Sequence, residues 1–97
     1  MSKRTIWKFP IVALDDIVGV QMPRDAQVLT VQFQRGILTL WAIADPAKPH
    51  EDRLFRIIGT GGSAEDIRGE CYIGTAQDPE LGLVWHVFEH EQPEAKP

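Results

Sequence analysis

A chain of 97 residues, 43% hydrophobic and 25% charged, has the make-up of one globular domain and excludes a two-domain enzyme, a disordered chain and a collagenous one. Ten Lys and Arg against fourteen Asp and Glu leave a net charge of −4. The excess acid falls between Asp45 and Glu94, so a phosphate backbone is repelled overall and nucleic acid is not an expected partner.

At the N-terminus, Lys3, Arg4 and Lys8 form a short basic cluster that reads as a solvated end. The first twenty residues contain Asp15 and Asp16 and no uninterrupted apolar stretch, which argues against a signal peptide, and no 18-residue apolar run could span a membrane. Thr5 to Phe9 is a predicted strand with Trp7 and Phe9 on one face, ending at Pro10. Ile17 to Met22 is a second, ending at Pro23; prolines cannot donate ladder bonds and suit strand ends and edges. From Ala26 to Arg35 the residues alternate, with Leu29, Val31 and Phe33 on one side and Val28, Thr30, Gln32 and Gln34 on the other. Arg35-Gly36 supplies a turn. The apolar run Ile37 to Ala44 then completes a hairpin over 27–44 and stops at Asp45-Pro46.

Downstream, Leu54 to Ile58 is a strand running into Gly59, Glu70 to Ile73 another, and Gly82 to Glu89 the last. Glu65 to Arg68 could support at most one helical turn. Seven short strands punctuated by turn residues predict an all-β protein, one mainly antiparallel domain over 1–91 built as a compact barrel or sandwich, followed by a solvated tail over 92–97. Trp85 and Val87 face opposite to His86 and Phe88, and Trp41 opposite to Leu40, so aromatic mass lies on both sides of the sheet. One core uses one face; the other is expected to meet a second copy of the chain, unless the loop from Pro46 to Arg53 folds over it.

Candidate chemistry is sparse. Gly59-Thr60-Gly61-Gly62-Ser63-Ala64 has the spacing of a dinucleotide-binding turn, but the next strand arrives too soon for the crossover helix such a unit needs. A glycine loop whose amides cradle an anion survives as a reading, with Arg53, Arg56 and Arg68 close in sequence; a plain wide turn is the alternative. His86 and His90, four apart on a strand, lie ~13 Å apart and cannot share one ion, so neither a metal nor a cofactor is expected. Ser63, Thr60, Thr75 and Cys71 could partner His86 in catalysis but sit in no recognisable triad context, and His86 reads as structural. The acidic pairs Asp15-Asp16, Glu51-Asp52 and Glu65-Asp66 read as solvated turns. Cys71, the lone cysteine, permits no intramolecular disulfide and reads as a small core residue, which makes a cytoplasmic location the default.

Several segments together resemble a family of small β-rich proteins carried by bacteriophages and prophages: Ile6-Trp7-Lys8-Phe9, Met22-Pro23, Leu40-Trp41-Ala42 with Asp45-Pro46, Phe55-Arg56-Ile57 leading to Gly59-Thr60-Gly61, Tyr72-Ile73-Gly74-Thr75, and His86-Val87-Phe88-Glu89. The resemblance covers about Thr5 to Glu89. It implies a phage accessory product acting in the cytoplasm of a bacterial host, and it supplies no established reaction. With the residues above, it leads to the expectation of a non-enzymatic, oligomeric binding protein that sequesters a small anionic, nucleotide-derived host molecule and so counters antiviral defence. Its expected ligand-binding residues are Trp41, Arg53, Arg56, Thr60, Gly61, Gly62, Arg68 and Trp85, the tryptophans serving to stack on a base. The alternative is a protein-interaction module that binds and inhibits a host protein through an acidic surface or an exposed strand edge.

Overall fold

The sequence places β-branched and aromatic residues in short runs between turn formers, and each run becomes a strand. The computed structural model describes residues 3–12, 14–68 and 71–90; the tail assigned to 92–97 lies outside them. The strands are β1 (Thr5–Pro10), β2 (Ile17–Pro23), β3 (Gln27–Gln34), β4 (Ile37–Ala44), β5 (His50–Gly59), β6 (Cys71–Gln77) and β7 (Val84–Glu89). They form two sheets, a three-stranded one in the order β1-β4-β3 and a four-stranded one in the order β2-β5-β7-β6, with every ladder antiparallel. Among the described residues no helix forms; the 65–68 segment contributes a turn in which the Ile67 amide donates to the Ala64 carbonyl at 3.1 Å.

Both sheets supply the core. Leu38 and Leu40 of β4 and Val31 of β3 meet Met22 of β2, Phe55 of β5 and Val87 of β7, and all six are sealed from solvent. Burying side chains of this size is the main favourable term in holding the sheets together, at roughly 1.5–3 kcal/mol each. Along one side the sheets come close enough that β3 and β6 nearly touch: a Cβ built on Gly74 would lie 3.2 Å from Val31 Cγ1. A side chain at position 74 would require Val31 to give way by a few tenths of an ångström.

Three expectations change. The alternation assigned to 28–34 is broken by a bulge between Val28 and Thr30. The extra residue turns Leu29 out to solvent and puts Val28, not Leu29, against the core, because a bulge reverses the facing of everything before it. The strand expected to start at Leu54 begins at His50, since β2 pairs with it over its full length, from Ile17 opposite Arg56 to Pro23 opposite His50. The connection from β4 to β5 is therefore only 45–49, pulled tight by the Ala47 amide donating to Asp45 Oδ1 and the Lys48 amide to the Asp45 carbonyl. It does not reach across the outer face of the three-stranded sheet, where Ile6 stays exposed and Trp41 and Ile43 half-buried. Third, β6 runs on past Ile73 to Gln77.

The β3–β4 hairpin turns on two residues, Arg35 at φ 53° and Gly36 at φ 80°. Two left-handed residues in a two-residue loop follow the right-handed twist of the flanking strands, and an arginine is a costly choice for the first of them. Arg35→Asn is expected to stabilise the protein by about 0.5–1 kcal/mol, read as a higher urea midpoint at unchanged slope; a lower midpoint would contradict the turn geometry.

Candidate functional site

On a regular strand, residues three apart point to opposite faces. Tyr72 and Thr75 do not, because β6 carries a bulge between Tyr72 and Gly74: Tyr72 pairs with Phe88 and Thr75 with His86, both on the face of β7 turned away from the core. The bulge gathers a continuous hydrogen-bonded chain there. Tyr72 Oη lies 2.6 Å from Thr75 Oγ1, Thr75 Oγ1 lies 3.0 Å from His86 Nδ1, and His86 Nε2 lies 2.7 Å from Thr60 Oγ1. Three segments meet in this chain: β6, β7 and the loop that follows β5. The Tyr72 and Phe88 rings sit alongside at a centroid distance of 5.4 Å.

The loop over 60–68 is held by its own contacts. The Thr60 amide donates to the Val84 carbonyl at 3.0 Å, the Gly62 amide to the Gly59 carbonyl at 2.8 Å, and Gly61 takes φ 95°, a conformation that favours glycine. Further along, Arg56 Nη2 donates to Asp66 Oδ1 at 3.1 Å. Arg56 lies on the outer face of β5, opposite Phe88, and is buried while Asp66 is exposed. Hydrogen bonding from Arg56, then a backbone hydrogen bond and the Arg56 charge, hold the Asp66 carboxyl below its ordinary value of 3.8, with Arg68 adding a smaller pull in the same direction.

A cavity of about 590 Å³ lies along this loop, beside the part of β5 that β2 does not pair with. Its walls include Ile57, Ile58 and Trp85, and its polar lining is mostly acidic: Asp15, Asp16, Glu65 and Asp66 against Arg56. None of Thr60, Tyr72, Thr75 or His86 lines it. The residues lining this carboxylate-rich hollow are thus different from those of the hydroxyl–imidazole chain, whose hydrogen-bonded members include no carboxylate. Such a chain offers donors to an anion; the hollow opposes one by like-charge repulsion.

The sequence-derived ligand residues separate accordingly. Thr60 joins the His86 chain, and Gly61, Gly62, Arg56 and Arg68 belong to the loop or its anchor. The Gly62 amide is already engaged with Gly59, so that donor is not presented to a ligand. Trp41 lies on the outer face of the other sheet, opposite Lys8 of β1 and Thr30 of β3. Trp85 turns inward, packing against the core and against Gly59. Arg53 also faces inward, donating from Nε and Nη2 to the Glu89 carboxylate at 2.5 and 3.1 Å and from Nη1 to the Ala26 carbonyl at 2.9 Å. The hydrogen bond to Glu89, working against desolvation, raises the Arg53 pKa and fixes its charge. Cys71, expected in the core, is exposed. Thr60 and Thr75 were among the four possible partners named for His86; Tyr72 and Phe88 were not anticipated beside them, and the signal was Gly74, an isolated glycine inside a strand pattern.

Fold and site together define a small all-β protein of two packed antiparallel sheets with a hydroxyl–imidazole cluster on one outer face. The chain belongs to the family described as Domain of unknown function (DUF7352), which matches residues 2–97. No curated protein and no solved structure is detectably similar to it. Among the described residues, no group of His, Cys, Asp and Glu is placed to hold a metal ion, and no helix is long and apolar enough to cross a membrane.

The Arg56–Asp66 contact gives the loop a pH dependence. Because the Asp66 pKa is depressed in the fold, the contact contributes fully above 3.8 and is lost as pH falls through the lowered value. Amide exchange of Gly62 and Ile67 is therefore expected to hold its protection down to about pH 4 and to lose it at lower pH as Asp66 is protonated, once intrinsic exchange rates are corrected for. In Asp66→Asn the protection should already be reduced at pH 7 and change little over that range; an acid profile identical to the wild type's would rule the contact out as the loop's anchor.

Proposed function

We propose that this chain is a non-enzymatic binding protein that captures a small anionic, nucleotide-derived molecule on the outer face of the four-stranded sheet. The observation that carries this reading is the Tyr72–Thr75–His86–Thr60 chain. Three hydroxyls and an imidazole are fixed in line on an accessible surface, and an exposed polar network of this kind contributes little to a core. Both ring nitrogens of His86 are engaged by Thr75 and Thr60, so a phosphate oxygen would be met by a hydroxyl proton of the chain, that of Thr60 when the imidazole donates to it. The acidic remainder of the molecule favours a compact ligand over a polymer.

The resemblance to phage proteins supplies the setting: an accessory product in the cytoplasm of a bacterial host, where removing a signalling nucleotide would blunt an antiviral response. A β-sandwich is the architecture proposed. Self-association is part of the reading, supported by the exposed Ile6 and the half-buried Trp41 and Ile43, which form an apolar patch on the outer face of the three-stranded sheet. The second reading, an interaction module for a host protein, draws support from the carboxylates around the cavity, which suit a basic side chain of a partner.

Calorimetric titration with ADP-ribose and a set of cyclic nucleotides separates the two. Saturable binding is expected, weakened about tenfold or more by Thr60→Val and by His86→Leu, as for hydrogen bonds to a charged acceptor, with melting temperatures near that of the wild type. No heat and no thermal shift with any of these compounds would remove the first reading and leave the second.

A further inference from the structure

The Thr60–His86 end of the cluster accounts for an anion but not for the rest of a ligand, and the two tryptophans expected to stack on a base lie elsewhere, one on the other sheet and one against the core. We infer that the ring of Tyr72 is the stacking platform, and that the ligand is a nucleoside phosphate whose base lies on Tyr72 while its phosphate takes the Thr60–His86 end. This assignment rests on the anion-binding reading above and adds its chemical class.

Two features of Tyr72 carry it. The residue is 60% exposed, high for a ring of that size, yet it is not free to swing. Its hydroxyl is bonded to Thr75 at 2.6 Å and its ring is braced by Phe88 at 5.4 Å with the planes tilted by 56°. Phe88, half-buried on the neighbouring strand, packs against the ring at that tilt. An exposed aromatic already held in one rotamer loses little entropy when a ligand stacks on it, which is the property that suits tyrosine to recognition surfaces.

Tyr72 and Thr75 occupy successive outward positions of the ladder, opposite Phe88 and His86, so the ring and the imidazole share one face, with the ring displaced along the strand from the Thr60–His86 end. The bulge at Ile73 and Gly74 gives the ring and the hydroxyl a common face, so a conformational feature of β6 and the proposed recognition of two ligand parts share one cause. A long polyanion fits less well, because Glu65 and Asp66 stand on the adjoining loop and the chain as a whole carries −4.

The test compares AMP with ribose 5-phosphate, which share the phosphate and sugar and differ by the base. Calorimetry at fixed ionic strength should give about tenfold tighter binding of AMP, within the range for one base on one aromatic ring, and AMP should shift the Tyr72 ring protons upfield in NMR spectra. Tyr72→Phe should keep the preference. Tyr72→Leu, which lacks the same hydroxyl as Tyr72→Phe, should abolish it while binding ribose 5-phosphate as Tyr72→Phe does. Equal binding of the two compounds by the wild type, a preference surviving in Tyr72→Leu, or unmoved Tyr72 resonances would overturn the platform and leave the anion site standing. A single-stranded oligoadenylate binding tighter than AMP would overturn the assignment to a small ligand. If neither AMP nor ribose 5-phosphate bound, the platform and the anion site would fall together.

Discussion

The close approach of β3 and β6 is the constraint on which both the packing and the candidate site depend. The two strands belong to different sheets, and a Cβ on Gly74 would already press on Val31. At the same place β6 takes its bulge. A bulge bends a strand and sharpens its twist, so the edge of one sheet can lean toward the edge of the other and close one side of the core. The same extra residue reverses the facing of the strand beyond it. Tyr72 and Thr75 then lie on one face, and the chain from Tyr72 to Thr60 becomes possible. Packing and site are thus two consequences of one local irregularity.

The cations of this protein are used mainly for structure. Arg53 ties the Glu89 carboxylate and the Ala26 carbonyl together at one end of the core. Arg56 is buried against the sheet and clasps the loop through Asp66. Partly buried guanidinium groups need such partners, because an unpaired charge in a desolvated place costs several kcal/mol. An anion-binding surface on this molecule therefore has to be built chiefly from neutral donors, and the outer face of β6 and β7 is where they are concentrated. Hydroxyls serve on both sides of the imidazole without rearrangement, since each can donate or accept.

Much of the architecture was legible in the sequence. Prolines and glycines marked the ends of β1, β2 and β5, the Arg35-Gly36 turn fixed the hairpin, and the alternation in β7 correctly put Trp85 and Val87 on the side opposite His86 and Phe88. Strand ends were less legible: His50 to Arg53 lacks an apolar run, and only pairing with β2 makes a strand of it. Neither bulge could be read from alternation, because a bulge is a departure from the pattern by which strands are recognised. The site suffered from the same limit. Thr60 and Thr75 were named as possible partners of His86 beside Ser63 and Cys71, and nothing in the sequence chose among the four, since Thr60 and His86 are 26 residues apart and meet only when β5 and β7 pair.

Composition and local pattern determined that this chain would be acidic and all-β with aromatic side chains on two faces, because those properties follow from side-chain chemistry and a period of two. Which face each aromatic would take, which arginines would be neutralised, and which hydroxyls would reach His86 were decided by tertiary structure alone. Those outcomes depend on register, and register is set by how two sheets fit against each other. A slip of one residue turns every later side chain over, and nothing in a single strand's sequence records where that slip occurs.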